Sequence, residues 1–542
     1  MLQKKAFFSG LPLVLCVILA APCFGGGQSG SVSGGAGKAG PNPNMNLTGL
    51  PIVKDKETYT IAWNRNTLSQ NNMPEKEPVI KAIRDTNIQI DWVEIQNANW
   101  NERISIMLAS GDVTDAIVRP PADLLMQNLP QMVDLTDLIQ PYSPVLSNFL
   151  KNRPDVKSLI TAPNGRIYCF PGGSEAFWSK TVDCLFINKS WLDAAKLQAP
   201  STTDEFYNVL KYFKENDMNG NGDKNDEIPF AFCQADAQST LRSMFGSFGI
   251  LDNLEHLQII NDVVTFTPSR PEFLDALRYF NKLYTEGLMD EEGFSQSSQQ
   301  YTAKGRENPA IYGSLLANVQ GNIIGIDKLD DYIPVAPLKG PNGKQLWNQA
   351  RDTGLAIAGF VITNKCKNPE TLVRWYDYVN SSLQMVTEWE NGPEGLAWEY
   401  DNSGRWMNIM DNVPAGSSWG EYRHTLGPGS GGPQCAQIYD WNNPSVRNIS
   451  DQNTLLKIAS LQLCEPFLPV KILPMGLEEA NVIQDRAILY ADINPYVMNF
   501  IATSVMHGVT DAQWNEHLRN CERLNVSQYA QSYQRLYDMS RR

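Results

Sequence analysis

The chain reads as an α/β protein built from two bodies, on three observations. Strands and helices alternate at short spacing between residues 58 and 118. A second alternation begins near residue 181, after an extended and turn-rich passage. Two later apolar runs, near residues 332 and 359, are placed to return strands to the first body. Alternation of this kind predicts a mainly parallel sheet in each body with helices on its faces.

Thr58–Trp63 alternates with the period of a strand, and a helix beginning near Pro74 carries Val79, Ile80 and Ile83. Ile88–Val93 is the next strand. Trp100–Leu108 places Ile104, Met107 and Leu108 on one helical side, stops at Ser110-Gly111-Asp112, and leads to the buried strand Asp115–Val118. Ligands of parallel sheets lie beyond the carboxyl ends of the strands, so the residues after Ala62 and Val118 are candidates for binding. Gly165–Gly173 is extended, Thr181–Ile187 is a strand and Trp191 starts a helix. Thr203 is placed to cap another, with Asp204 and Glu205 in its first turn. The second body runs to about residue 325. Tyr332–Pro337 and Gly359–Ile362 are expected to rejoin the first sheet. Beyond Asn368 the chain is expected to be mostly helical, ending in amphipathic stretches at 494–507 and 511–538.

Composition narrows the function. Among 542 residues, 42% are hydrophobic and 19% charged, enough for a large core, and the formal net charge is −14. That sign argues against nucleic acid and anionic membrane surfaces as partners. The four histidines, His256, His424, His507 and His517, show no ligand spacing, which argues against a His-based metal centre and weakens a Ser-His or Cys-His triad. Thirteen tryptophans and twenty tyrosines suit the flat apolar faces of sugars.

Residues 1–23 have Lys4 and Lys5 before an apolar run from Ala6 to Ala21 that is too short to span a membrane, the pattern of a secretory signal. Leu19-Ala20-Ala21-Pro22-Cys23 is similar to a bacterial lipobox with Cys23 as the lipidated residue, although proline before the cysteine departs from that pattern. Cleavage near Gly25 is the alternative. Residues 24–54 are rich in Gly, Ser, Pro and Asn and read as a flexible tether. Seven cysteines follow the leader, without CxxC spacing, and read as buried small apolar residues.

The sharpest local signal is Asp217–Pro229. Asp217, Asn219 and Asn221 put oxygens at loop positions 1, 3 and 5, and Gly222 stands at position 6, as a Ca²⁺ loop requires. Asp223 would contribute its carbonyl, followed by Asp226 and Glu227, with Asn225 the alternative to Asp226. Such a cation would be structural, pinning a loop of the second body. The competing reading is a solvated Asn/Gly/Asp turn.

Several segments in order resemble the extracytoplasmic solute-binding proteins of ABC importers, family 1, the class of the maltose- and alginate-oligosaccharide-binding proteins. Leu108–Asp115 is similar to that family's SGDxPD segment with Thr114 in place of proline. Gly165–Pro171 and Leu185–Leu192 resemble its first inter-lobe crossing, and Pro200–Phe206 its P-x-TWDEF segment with Thr203 in place of tryptophan. The closing helices, around Ile501, Gly508 and Trp514, complete a similarity over residues 55–540.

The resemblance implies a two-lobed, class II periplasmic-binding fold hinged on crossing strands. One lobe would comprise 55–175 and 330–385, the other 176–329 and 386–542. It also implies a calcium loop, an ABC permease as partner, a monomer, and a position outside the cytoplasm, periplasmic or at the cell surface. The expected cleft residues are Trp63, Asn64 and Arg65 after the first strand, and Arg119 and Asp123 after the Asp115 strand. Glu175 and Trp178 lie in the crossing, Trp347 and Arg351 near the return crossing, and Glu394 and Trp398 in the family's G-x-EG region. For each of these, burial in a core is the competing reading. A receptor that delivers carbohydrate, in particular oligosaccharide, without altering it is the leading function. A peptide receptor of the same fold and a secreted polysaccharide hydrolase are the alternatives. The hydrolase needs a flanking carboxylate pair that no short motif isolates.

Overall fold

A computed structural model describes residues 42–65, 71–350, 354–415 and 417–541. The expected leader, Cys23, the tether up to residue 41 and Arg351 lie outside the described residues.

The first body opens with β1 (Glu57–Arg65), α1 (Glu77–Thr86), β2 (Ile88–Gln96), α2 (Trp100–Ser110), β3 (Ala116–Val118) and α3 (Ala122–Gln127). These follow the expected alternation. Asn87 and Gly111 end α1 and α2 in the left-handed region, at φ 60° and 72°. β4 (Phe170–Gly173) ends the first pass through this body, and the chain crosses to β5 (Cys184–Asn188). The second body continues with the hairpin β6 (Leu257–Ile260) and β7 (Val263–Phe266), then β8 (Ser314–Ala317) and β9 (Tyr332–Val335). The return crossing leads to β10 (Leu355–Ile362), and a small later sheet contains β11 (Trp398–Tyr400), β12 (Trp406–Asn408) and β13 (Arg447–Asn448).

The first sheet has the order β2-β1-β3-β10-β4. β1 runs parallel to β2, from Glu57 opposite Ile88 to Arg65 opposite Gln96, and parallel to β3, whereas β10 is antiparallel to both β3 and β4. At the β4–β10 contact, Gly172 and Gly359 allow the backbones to meet. A Cβ on Gly359 would stand 2.3 Å from the Gly172 nitrogen.

The second sheet has the order β8-β5-β9 with β5 antiparallel to both neighbours; parallel bridges attach Ile228 and Ala231 to Tyr312 and Leu315. Parallel pairing is therefore strongest in the first body. β5 follows the crossing from the first body, and both of its neighbours, β8 and β9, run against it.

Two main hydrophobic cores correspond to the two lobes, one gathered around Ile61, Ile117, Phe170 and Phe360, the other around Phe186, Phe230, Phe280 and Tyr312. Several elements depart from expectation. The Tyr332 strand pairs with β5, from Asn188 opposite Tyr332 to Leu185 opposite Val335, so only the Gly359 run rejoins the first sheet. An apolar alternation does not specify which sheet will bury it, and the Tyr332 hydroxyl is held by the Tyr312 carbonyl (2.6 Å) inside the second core. Thr202 caps the helix Thr203–Glu215 by accepting from the Glu205 N–H, and Thr203 is its first residue.

Residues 42–54 are packed rather than tethering. Val53 is fully buried and bridged to Met45, and the Asn42 N–H donates to Glu370 Oε1 (2.8 Å). Between 386 and 450 the chain is not simply part of the second lobe. Trp389 and Cys435 join the first core, while Val386, Trp398, Trp406, Ala436 and Trp441 form a third small core under β11-β12-β13. That sheet interrupts the expected helical stretch. The helix Ala480–His507 packs on the helices Pro271–Thr285 and Val526–Ser540 and also reaches α3 of the first body.

Candidate ligand-binding cleft

A cavity of about 760 Å³ is bounded by both lobes. The first contributes Asp123 and Met126 from α3 and Ile357 from β10; the second contributes Asp183, Arg242 and Tyr490. Its size and mixed lining suit a small molecule of several rings.

Two charged groups dominate its chemistry. Asp183 is the last residue of the first crossing, 1% exposed, and its Oδ1 accepts from the Ser243 hydroxyl at 2.5 Å. Its Oδ2 has no hydrogen-bond partner among the described residues. Arg242, 9% exposed, likewise has an Nε without a hydrogen-bond partner among the described residues, and another of its nitrogens donates to the soft Met498 sulfur at 3.6 Å. Burial pushes the Asp183 carboxyl up to about 7, against the Ser243 hydrogen bond and the nearby Lys457 and Arg242 charges. A buried acid and a buried guanidinium with unused hydrogen-bonding capacity form a receptor for a ligand offering both donors and acceptors. Neither residue was singled out from the sequence; the one available signal was an aspartate within the apolar run Thr181–Ile187.

The expected cleft residues divide. Asp123 is exposed and lines the cavity. Trp63, Trp347 and Trp398 are 0–1% exposed, and each indole N–H is taken by a backbone carbonyl: Gly431 (3.1 Å), Asp183 (2.8 Å) and Gly392 (2.7 Å). They are core residues with no free face for stacking, although Trp347 supports the backbone of Asp183. Asn64 donates to Asn97 Oδ1 (2.9 Å), and Arg65 pairs with Asn72 and Glu94. Glu394 is exposed near the small third core.

Arg119 has φ 53°, and its guanidinium lies along Gly172 and Gly173; a Cβ on Gly173 would come within 3.3 Å of it. Glu175 pairs with Arg153 (3.1 Å), and its carbonyl accepts from the Asn442 amide (3.1 Å). Asn442 Oδ1 in turn accepts from Arg447 (3.0 Å), whose guanidinium lies 5.3 Å from the Trp178 ring centre. The structure thus joins Glu175 and Trp178 through two residues that the sequence did not reveal. Arg447 also faces Trp406 at 4.5 Å and Trp441 at 5.8 Å, and burial lowers its pKa to about 10.

The Asp217–Glu227 loop folds on its own side chains. Asp217 accepts from the N–H groups of Gly220 (2.7 Å) and Gly222 (2.8 Å), and Asn219 and Asn221 both turn toward Asp226 Oδ2. Asp226 Oδ1 and Glu227 Oε2 are buried without partners among the described residues, and burial raises the Glu227 pKa, with the Asp226 charge contributing. Orphaned carboxylate oxygens beside two amides, whose oxygen and nitrogen are interchangeable in such a network, fit a hard cation. Asn225 turns instead to Asp223 Oδ1 (3.0 Å), away from this cluster. Among the described residues no three His, Cys, Asp or Glu side chains converge as a metal site, so a cation here needs the amides and carbonyls as well.

Comparison with known proteins places these features. The family model of the bacterial extracellular solute-binding protein matches residues 70–384. The fructooligosaccharide ABC transporter substrate-binding protein FusA of Streptococcus pneumoniae is 29% identical over 522 residues, covering 93% of this chain and 94% of its own. Lipoprotein LipO of Bacillus subtilis is 27% identical over 61% of this chain and 66% of its own. The structure of S. pneumoniae FusA with kestose superposes with a TM-score of 0.80 at 28% identity, covering 90% of this chain and 99% of that one. An EF-hand mutant of FusA with fructo-nystose superposes equally well, with a TM-score of 0.80 at 27% identity and the same coverage. The chain belongs to the bacterial extracellular solute-binding proteins.

Proposed function

We propose that this protein is the substrate-binding component of an ABC importer, closing its two lobes on an oligosaccharide and releasing it chemically unchanged to a permease. The observation that carries the reading is the cavity bounded by both lobes, with the unsatisfied Asp183 and Arg242 at its wall. Sugar hydroxyls both donate to a carboxylate and accept from a guanidinium, so one ligand class answers both groups. The likeness to FusA, a fructooligosaccharide-binding protein, makes short fructans such as kestose the first ligands to test.

The first lobe would comprise residues 42–173 with 355–391, and the second 184–335 with 452–541. The 398–448 unit would stand beside the first lobe. Asp217, Asn219, Asn221, Asp226 and Glu227 would hold a structural Ca²⁺, a reading supported by the orphaned oxygens and by the EF-hand of FusA. The protein would act as a monomer outside the cytoplasm, held to a membrane through a lipid on Cys23, as the likeness to a lipoprotein suggests.

Titration calorimetry of the mature protein against kestose, maltotriose and a tripeptide tests the ligand class. A saturable heat with a sugar supports the proposal, and a response to the peptide alone replaces it.

A further inference from the structure

Two of the seven described cysteines stand apart from the rest. Cys184 is the first residue of β5 and fully buried; Cys464 is the last residue of the helix Gln452–Cys464 and 1% exposed. They are 280 residues apart in sequence, yet their sulfurs lie 4.0 Å from each other. No other pair of cysteine sulfurs makes such a contact among the described hydrogen-bonded groups.

The surroundings are polar on one side. Thr181 Oγ1 lies 3.7 Å from the Cys184 sulfur, and the buried Lys457 ammonium donates to the same Thr181 oxygen at 3.1 Å. A cation placed there, two turns before Cys464 on the same face of its helix, favours a thiolate at Cys184. The Cys184 pKa is accordingly lowered, by the hydrogen bond from Cys464 first and by the Lys457 charge after burial is set against it. Cys169 and Cys435, in contrast, are buried in the first core and shifted upward by burial alone or chiefly.

We propose that Cys184 and Cys464 are joined as a disulfide when the protein folds in an oxidising compartment, fastening the helix Gln452–Cys464 to the strand that leaves the first crossing. The location is mechanically pointed. Lys180 in that crossing also pairs with Glu465 (2.8 Å), and Thr181 bridges Gln349 of the return crossing. The bond would therefore anchor one end of the hinge to the second lobe while leaving the other end free to flex.

The oxidant is a small-molecule or protein disulfide, RSSR. The Cys184 thiolate attacks one of its sulfurs, forming a mixed disulfide and expelling RS⁻. The Cys464 thiol gives up its proton, and its sulfur attacks the Cys184 sulfur, expelling the second RS⁻. The two protons lost from the cysteines end on the two released thiols, so two protein thiols and RSSR become one protein disulfide and two RSH. Both sulfurs are buried in the folded chain, so the exchange belongs to folding, as the helix docks on β5 and brings Lys457 and Cys464 beside Cys184 while solvent still reaches the sulfurs.

The test is to unfold the mature protein in reductant and refold it with oxidised and reduced glutathione, with a parallel sample refolded in dithiothreitol. Tryptic digestion without reduction follows, after alkylation of free thiols. The expected product is peptide 181–189 linked to peptide 458–471, two hydrogens lighter than their sum, present only in the glutathione sample. Its melting temperature should exceed that of the dithiothreitol sample by a few degrees, and Cys464→Ser should abolish both the linked peptide and the difference. Recovery of both peptides alkylated after oxidative refolding overturns the proposal, as does either cysteine linked to a different partner. The peptide map of the wild-type chain decides the matter even where Cys464→Ser fails to fold.

Discussion

Replacing Asp183 with Asn removes a buried charge while preserving shape, and its effect can be worked out from the structure. The carboxyl titrates near 7 in the folded chain and near 3.9 when unfolded. Between those values the folded state retains a proton that the unfolded state has lost, so stability falls as pH rises through that window and the full cost is present above it. A gap of about three units corresponds to roughly 4 kcal/mol. Asp183→Asn should therefore be more stable than the parent by up to about 4 kcal/mol at pH 8, with the difference fading toward pH 4. Denaturant unfolding of both proteins at half-unit steps from pH 4 to 8 measures this directly. The same substitution should weaken oligosaccharide binding at pH 7.5 by about 10- to 100-fold, because a charged acceptor for a buried hydroxyl is lost. Parallel stability curves for the two proteins, or an unchanged Kd, would refute the assignment of Asp183 as a strained group kept for the ligand.

Chelation should lower the melting temperature and added Ca²⁺ restore it, since a cation present at a hundredfold excess over its Kd contributes about 2.7 kcal/mol. Asp217→Ala should abolish that response in differential scanning calorimetry. Arg447→Met should cost about 3–5 kcal/mol by leaving Asp451 and Asn442 without their buried partner, read as a lower thermal midpoint and a shift in tryptophan emission from the Trp406–Trp441 stack. Asp123→Ala should reduce sugar affinity by about 1 kcal/mol, roughly fivefold, in calorimetry, with the melting temperature nearly unchanged because this cavity-lining side chain is exposed.

The first body was legible because its local rules agree: alternation in β1 and β2, helical spacing in α2, and Gly111 ending that helix. The second sheet was less so. Nothing in Tyr332–Val335 says that β5 rather than β3 will be its neighbour, because both cores accept the same apolar side chains. Residues 42–54 looked like tether from their Gly, Pro and Asn content, and the few apolar residues that pack them, Met45, Ile52 and Val53, were diluted by it. The unit at 398–448 was hidden because its strands are only two or three residues long, too short for a period to register.

The candidate site divided along the same line. Motif position brought Asp123 to the cavity and Glu175 and Trp178 into one network with Arg447. Counting tryptophans did not separate Trp63, Trp347 and Trp398, whose rings fill cores, from a ring available to a ligand, since residue type is the same in both cases. Asp183 and Arg242 are chemically informative only once folding buries them with atoms left unpaired.

The most direct measurement is calorimetric titration of the mature protein with kestose, followed by chromatography of the recovered sugar. The account predicts a single saturable site per chain, lost or sharply weakened in Asp183→Asn, and kestose returned intact. No heat with any oligosaccharide tested, or release of free hexoses from the incubated sugar, would contradict it.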